Sequence, residues 1–178
     1  MMQKKIWLAG SRYCVLIGMV LALASCGTIS SPKRPAQHAH LKPVRIVHIS
    51  QQIGGQELMM RSLSLIGTPY RFGGADRQSG FDCSGMVQYV YQQALNVQLP
   101  RTAKDMAAVS QSIQQRDLKV GDLVFFNTNG QPYSHMGLYI GEGEFIHAPS
   151  SNGMIRTAKL SQPYFQQRFT GARTFFAR

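Results

Sequence analysis

Acidic residues are scarce in this chain, 8 Asp and Glu against 19 Lys and Arg in 178 residues, and the formal net charge is +11. That balance favours anionic surroundings, such as lipid phosphates or peptide carboxylates. The basic residues are scattered rather than gathered in a patch, which argues against nucleic acid as the partner. Cysteine is rare too, with only Cys14, Cys26 and Cys83. None of the zinc-ligand spacings is present, so no metal or other cofactor is expected. The apolar run from Tyr13 to Ala24 falls short of the roughly 20 residues that a spanning helix needs. There is no internal repeat, and the length suits one core rather than two full domains.

What is present begins with Lys4, Lys5 and Arg12, then that apolar run, then the small residues Ser25-Cys26-Gly27, which is the layout of a secretory signal over residues 1–25. Leu23-Ala24-Ser25-Cys26 resembles a lipobox, the site at which bacterial lipoprotein precursors are cut and the new N-terminal cysteine is acylated. Gly27 in place of aspartate implies, by the same resemblance, sorting to the outer membrane of a Gram-negative cell, facing the periplasm. More than one acyl chain on Cys26 would give stable membrane attachment. With Cys14 removed in the signal and Cys26 lipidated, Cys83 is left as the one thiol, and an intrachain disulfide is excluded. An unpaired thiol in an exported protein invites oxidation, so it points to a chemical use or to burial. Without Lys4, Lys5 and Arg12 the count becomes sixteen basic residues against eight acids, a net of +8.

Residues 26–55 read as the lipidated cysteine and a tether, with Pro32, Pro35 and Pro43, several serines and no acid. As a flexible coil, the roughly 27 residues after Cys26 would span on the order of 30 Å. His38, His40 and His48 fall here and read as solvated. The folded part is expected over 56–178. Leu58, Met59, Ser62, Leu63 and Ile66 keep helical spacing, and Gly67 offers a stop. Asp82 is placed to cap a second helix that Cys83 opens and that Met86, Val87, Val90, Tyr91, Ala94 and Leu95 continue. Thr102 and Asp105 predict a third helix carrying Met106, Ala107, Ser110 and Ile113. Leu123–Phe126, Met136–Ile140 and Glu144–Ala148 read as antiparallel strands, and helices followed by strands indicate an α+β domain.

A cysteine in the first turn of a helix meets unpaired N–H groups and the positive end of the helix dipole, both of which favour a thiolate. Gly80 and Gly85 beside it would let a substrate backbone approach closely. His135 and His147 are the histidines of the folded part. If Gly141-Glu142-Gly143 forms a three-residue loop, Ile140 pairs with Glu144, His147 faces Gly137, and both histidines share one face of the hairpin. A two-residue loop would put them on opposite faces. On the first register His135 would act as the base and His147 as the group orienting it.

DCSG at Asp82–Gly85, SHMGLYIG at Ser134–Gly141 and FIHA at Phe145–Ala148 resemble the NlpC-type cell-wall cysteine peptidases, supported by GTPYRFGG from Gly67, LPRTA from Leu99 and LKVGDLVFF from Leu118. The lipidated arrangement is similar to that of enterobacterial lipoproteins of this family. The resemblance implies a papain-like fold, a helix bearing the nucleophile packed on a small antiparallel sheet, and hydrolysis of peptidoglycan stem peptides or their cross-links. It assigns Cys83 as nucleophile, His135 as base and His147 as third polar residue. It also assigns Tyr70 beside the nucleophile as an aid to the oxyanion, and Asp82 and Ser84 to the substrate's free amine. The D-alanine to diaminopimelate cross-link is favoured over the γ-D-glutamate to diaminopimelate bond. A catalytically silent wall-binding lipoprotein is the alternative of another class, and acyl transfer to an amine is a further outcome of the same intermediate. Any adaptor or regulatory protease leaves no signature in the residues.

Overall fold

Ser50 stands at the head of the first helix, α1 (Gln51–Leu63), and its Oγ accepts the N–H of Ile53. The computed structural model describes residues 41–150 and 153–178. The expected signal, Cys26 with its expected lipidation, Cys14, His38 and His40 lie outside the described residues. The expected boundary at 55/56 is corrected, because it falls inside α1. Packing starts earlier still: Ile46 is buried, donates its N–H to the carbonyl of Phe175 at 2.7 Å and bridges Phe176 in parallel. The misleading signal is Gly54-Gly55, which looks like linker. In the fold a Cβ on Gly55 would stand 2.2 Å from the carbonyl oxygen of Val120, so the helix lies backbone to backbone against that segment. Close packing there outweighs a helix-propensity cost of about 1 kcal/mol per glycine.

A two-residue hairpin, β1 (Ala75–Asp76) with β2 (Gly80–Phe81), leads into α2 (Cys83–Leu95). Asp82 caps α2 as the sequence requires, its Oδ1 accepting the N–H of Gly85 at 2.7 Å, and Asn96 ends it in the left-handed conformation. Met86, Val87, Val90, Tyr91 and Leu95 form its buried face, against α1 and the sheet. Helix α3 (Ala103–Val109) starts at Thr102, whose Oγ1 accepts from the N–H of Asp105 and donates to Oδ2 of the same residue. It ends at Val109, which corrects the expected run to Ile113. Ser110 turns extended and its hydroxyl and carbonyl oxygens accept from Arg173, so Gln111–Ile113 becomes strand β3.

After a short 3₁₀ turn over Gln115–Asp117 come β4 (Leu123–Phe126), β5 (His135–Gly141), β6 (Glu144–His147), β7 (Arg156–Lys159), α4 (Pro163–Gln166) and β8 (Phe169–Thr174). One antiparallel sheet takes the order β3-β8-β4-β5-β6-β7. Helices first and an antiparallel sheet after them make the domain α+β, as its pattern implied. One face of the sheet packs Leu123, Phe125, Met136, Leu138 and Ile146 against the helices. The other carries Val124, Phe126 and Phe145 under Phe165 of α4 and Leu160. Burial on both faces explains why β4 reads LVFF without alternation.

The β5–β6 turn differs from expectation while the register survives. Gly141 pairs with Glu144 across a two-residue turn, Glu142-Gly143, both with positive φ. A bulge at Ile140 then resets the pairing, so that Tyr139 faces Phe145 and Leu138 faces Ile146. The two-residue turn would alone have parted the histidines. The extra residue returns them to one face.

Candidate active site

Cys83 opens α2 at the edge of a groove of about 820 Å³ whose lining also includes Tyr70, Asp82, Ser84, Arg101 and His135. The sequence-chosen residues are therefore brought together, and His147 stands directly behind. Nε2 of His135 lies 2.9 Å from Nδ1 of His147, and both imidazoles are buried. Phe126, Phe145 and Phe165 surround the pair, with the rings of Phe145 and Phe165 each 5.3 Å from that of His147.

This apolar wall sets the protonation states. Burial lowers His135 to about 4, and burial reinforced by the charges of His135 and Arg156 lowers His147 to about 3. Burial, then the Asp82 charge, pushes the Cys83 thiol up to about 11, against the pull of the N–H groups of Met136, Ser84 and Cys83 itself. At neutral pH all three groups rest uncharged. The N–H groups at the head of α2 do favour the thiolate, and desolvation opposes them.

Asp82 is committed within the protein. Its Oδ1 accepts from Gly85 N–H, Ser84 Oγ and Arg101 Nη1, and its Oδ2 from Gly73 N–H and Arg101 Nη2. Five donors exceed the roughly four lone-pair sites of a carboxylate, so a substrate amine would have to displace one of them. Burial would raise Asp82, but the Arg101 hydrogen bonds, the Gly85 N–H, the Arg101 charge and Ser84 together hold it below the usual carboxylate range. Ser84 is likewise satisfied, by Asp82 and Arg101. Tyr70 sits beside Cys83 on the groove wall, and burial, then the charges of Cys83 and Asp82, raises its phenol.

Gly85 and Gly80 do not make room for a substrate. A Cβ on Gly85 would stand 2.1 Å from the carbonyl oxygen of Gly74, and one on Gly80 2.6 Å from that of Pro69. The glycines admit the protein's own backbone, which folds the GTPYRFGG turn against the head of α2. Arg101 is the site residue that sequence reasoning left without a role. Its signal was a cation in LPRTA, between two helices, in a stretch otherwise poor in charge.

A family model described as the NlpC/P60 family matches residues 67–174. The chain is 42% identical over 118 residues to the murein DD-endopeptidase MepH of Escherichia coli, covering 65% of this chain and 44% of that protein. It thus spans less than half the length of that relative. It is 38% identical over 163 residues to the probable endopeptidase NlpC of Escherichia coli, covering 91% of this chain and 98% of that protein. Among solved structures, a protein similar to lipoprotein of the NLP/P60 family from Staphylococcus aureus superposes with a TM-score of 0.63 at 32% identity, covering 76% of this chain and 44% of that one.

Proposed function

The chain belongs to the NlpC/P60 family, and from that premise we propose that it is a peptidoglycan endopeptidase using Cys83, His135 and His147. The observation that carries the reading is the imidazole pair, His135 to His147 at 2.9 Å, on the groove that Cys83 borders. His135 takes the thiol proton as the Cys83 sulfur attacks the amide carbonyl, so the charge develops only when substrate has filled the groove. The N–H of Cys83 stabilises the oxyanion. His135 then gives the proton to the leaving amine, and the carbon–nitrogen bond breaks to leave a thioester on Cys83. Water that loses its proton to the same imidazole opens the thioester. His147 holds the ring of His135 and accepts its Nε2–H throughout.

The favoured bond is the D-alanine to diaminopimelate cross-link. Lipidation at Cys26 and attachment to the outer membrane, facing the periplasm, complete the reading, and Cys26→Ser would then release the protein into the soluble periplasmic fraction. The test of activity is mass spectrometry of purified cross-linked peptidoglycan fragments incubated with the chain or with Cys83→Ala. New fragments from the unaltered chain alone support a peptidase and name the bond by mass. Fragments from neither, with the wall still bound, replace it by a silent binding protein.

A further inference from the structure

A substrate ammonium held at Asp82 and Ser84, as the resemblance implies, brings a positive charge and three N–H donors, and it needs acceptor sites that nothing else fills. In this structure those sites are filled from within. The forked guanidinium of Arg101 spends all four of its Nη hydrogens there: Nη1 donates to Asp82 Oδ1 and Ser84 Oγ, both at 3.0 Å, and Nη2 to Asp82 Oδ2 at 2.7 Å and the carbonyl of Gly74 at 3.2 Å. The Ser84 hydroxyl donates to Asp82 Oδ1 at 3.1 Å, and the N–H groups of Gly73 and Gly85 take further lone pairs of the same carboxylate. A substrate amine would have to expel part of a bidentate charged pair or a backbone N–H at the head of α2. Among the described residues lining the groove, Asp82 is the one acid, and Arg101 and Lys104 are cations. Beyond Asp82, the described lining therefore offers an ammonium no carboxylate.

We propose that Arg101 is a specificity residue whose guanidinium occupies the place of a substrate ammonium, so that the acyl half of the substrate needs no free amine. The inference rests on the endopeptidase reading and deepens it, because it assigns the substrate class: stems whose amino end is still acylated, as in the intact wall, are cleaved as readily as free peptides. Capping α2 requires only the bond from the Gly85 N–H. The guanidinium does something further, since it offsets the charge of Asp82 and covers both of its oxygens. Methionine at position 101 would keep a long side chain and supply no donor, leaving Asp82 and Ser84 open to an amine from the groove.

The experiment uses two cross-linked peptides that differ only in the acyl half, its amines free in one and acetylated in the other, with the full chain and its Arg101→Met and Asp82→Asn variants. The unaltered chain is expected to cleave both peptides with kcat/KM values within about threefold of each other. Arg101→Met is expected to favour the free amine by about 10- to 100-fold, the worth of a hydrogen bond to a charged group. A residue that only braces the fold would lower both rates and leave their ratio alone. A preference of about tenfold or more for the free amine in the unaltered chain, removed in Asp82→Asn, overturns the inference while leaving the endopeptidase intact. An unchanged ratio in Arg101→Met does the same. Cleavage of neither peptide by the unaltered chain removes the endopeptidase reading itself. A second measurement is independent of turnover. In the full chain carrying Cys83→Ala with ¹⁵N-labelled arginine, the Nη signals of Arg101 are expected to stay in place when the free-amine peptide binds. Their displacement by that peptide and not by the acetylated one overturns the inference.

Discussion

Arg101 grips Asp82 with two parallel hydrogen bonds, Nη1 to Oδ1 at 3.0 Å and Nη2 to Oδ2 at 2.7 Å, and also reaches the carbonyl of Gly74. One side chain thereby ties the cap of α2 to the turn beside it. Lysine carries the charge without the planar fork. Arg101→Lys is expected to lose about 1–2 kcal/mol of stability, close to the loss in Arg101→Met. Thermal unfolding of the two variants checks this, and a lysine variant as stable as the parent chain would show that charge alone suffices.

In the proposed mechanism His147 accepts a hydrogen bond from His135, whose Nε2 lies 2.9 Å from its Nδ1. Asparagine retains an acceptor of similar reach and alanine does not. His147→Asn is expected to lower kcat about tenfold and His147→Ala about a hundredfold or more, with smaller changes in KM. Equal kcat losses in the two would make the role one of packing against Phe145 and Phe165.

The thiol at about 11 and the imidazole at about 4 set a pH profile. The reactive combination, neutral thiol with neutral His135, fills the range between those values. A plateau in kcat/KM across neutral pH is the expected result, with an acid limb near 4. Alkylation of Cys83 by iodoacetamide without substrate should be slow at pH 7 and accelerate only toward pH 10. Rapid alkylation at pH 6 would reveal a resting thiolate and imidazolium pair instead.

Stability follows the same histidines. Their folded values lie below the ordinary 6.5, so the unfolded chain binds more protons as pH falls beneath 6.5. The stabilisation is complete above 6.5 and is lost progressively down toward the folded values. For His135 alone the loss amounts to roughly 3 kcal/mol. Denaturant titrations between pH 7 and 4.5 measure it, and a His135→Phe variant should show a shallower decline.

Gly55→Ala adds a good helix former in mid-helix, yet the new methyl would meet the Val120 carbonyl at 2.2 Å. Overpacking of about 1–3 kcal/mol should exceed the propensity gain, giving a lower denaturation midpoint. A stabilised variant would mean that α1 slides freely over this segment.

The helix of Cys83 was legible because an Asp cap and apolar residues three and four apart are local signals, and the structure keeps both its start and its buried face. The strands bearing the histidines were legible by composition, though the path between them was not. Whether Ile140 pairs or bulges is settled by the whole sheet rather than by the turn residues. The short strands β3, β7 and β8 went unread because their sequences are polar or mixed, and long-range pairing alone defines them. The start of α1 was hidden by glycines chosen for a contact with residues some 65 positions away. Arg101 escaped for a related reason: its role is defined by Asp82, 19 residues away.

Strand β8 lies between β3 and β4, although it follows both in the chain. A polypeptide that emerges from a ribosome or a membrane pore with its N-terminus leading presents Cys83, then His135 and His147, well before that strand. Until β8 arrives, β4 has an open edge beside the strand that carries His135. The edge beside the strand of His135 therefore closes only once a strand that follows both histidines in the chain has formed and paired.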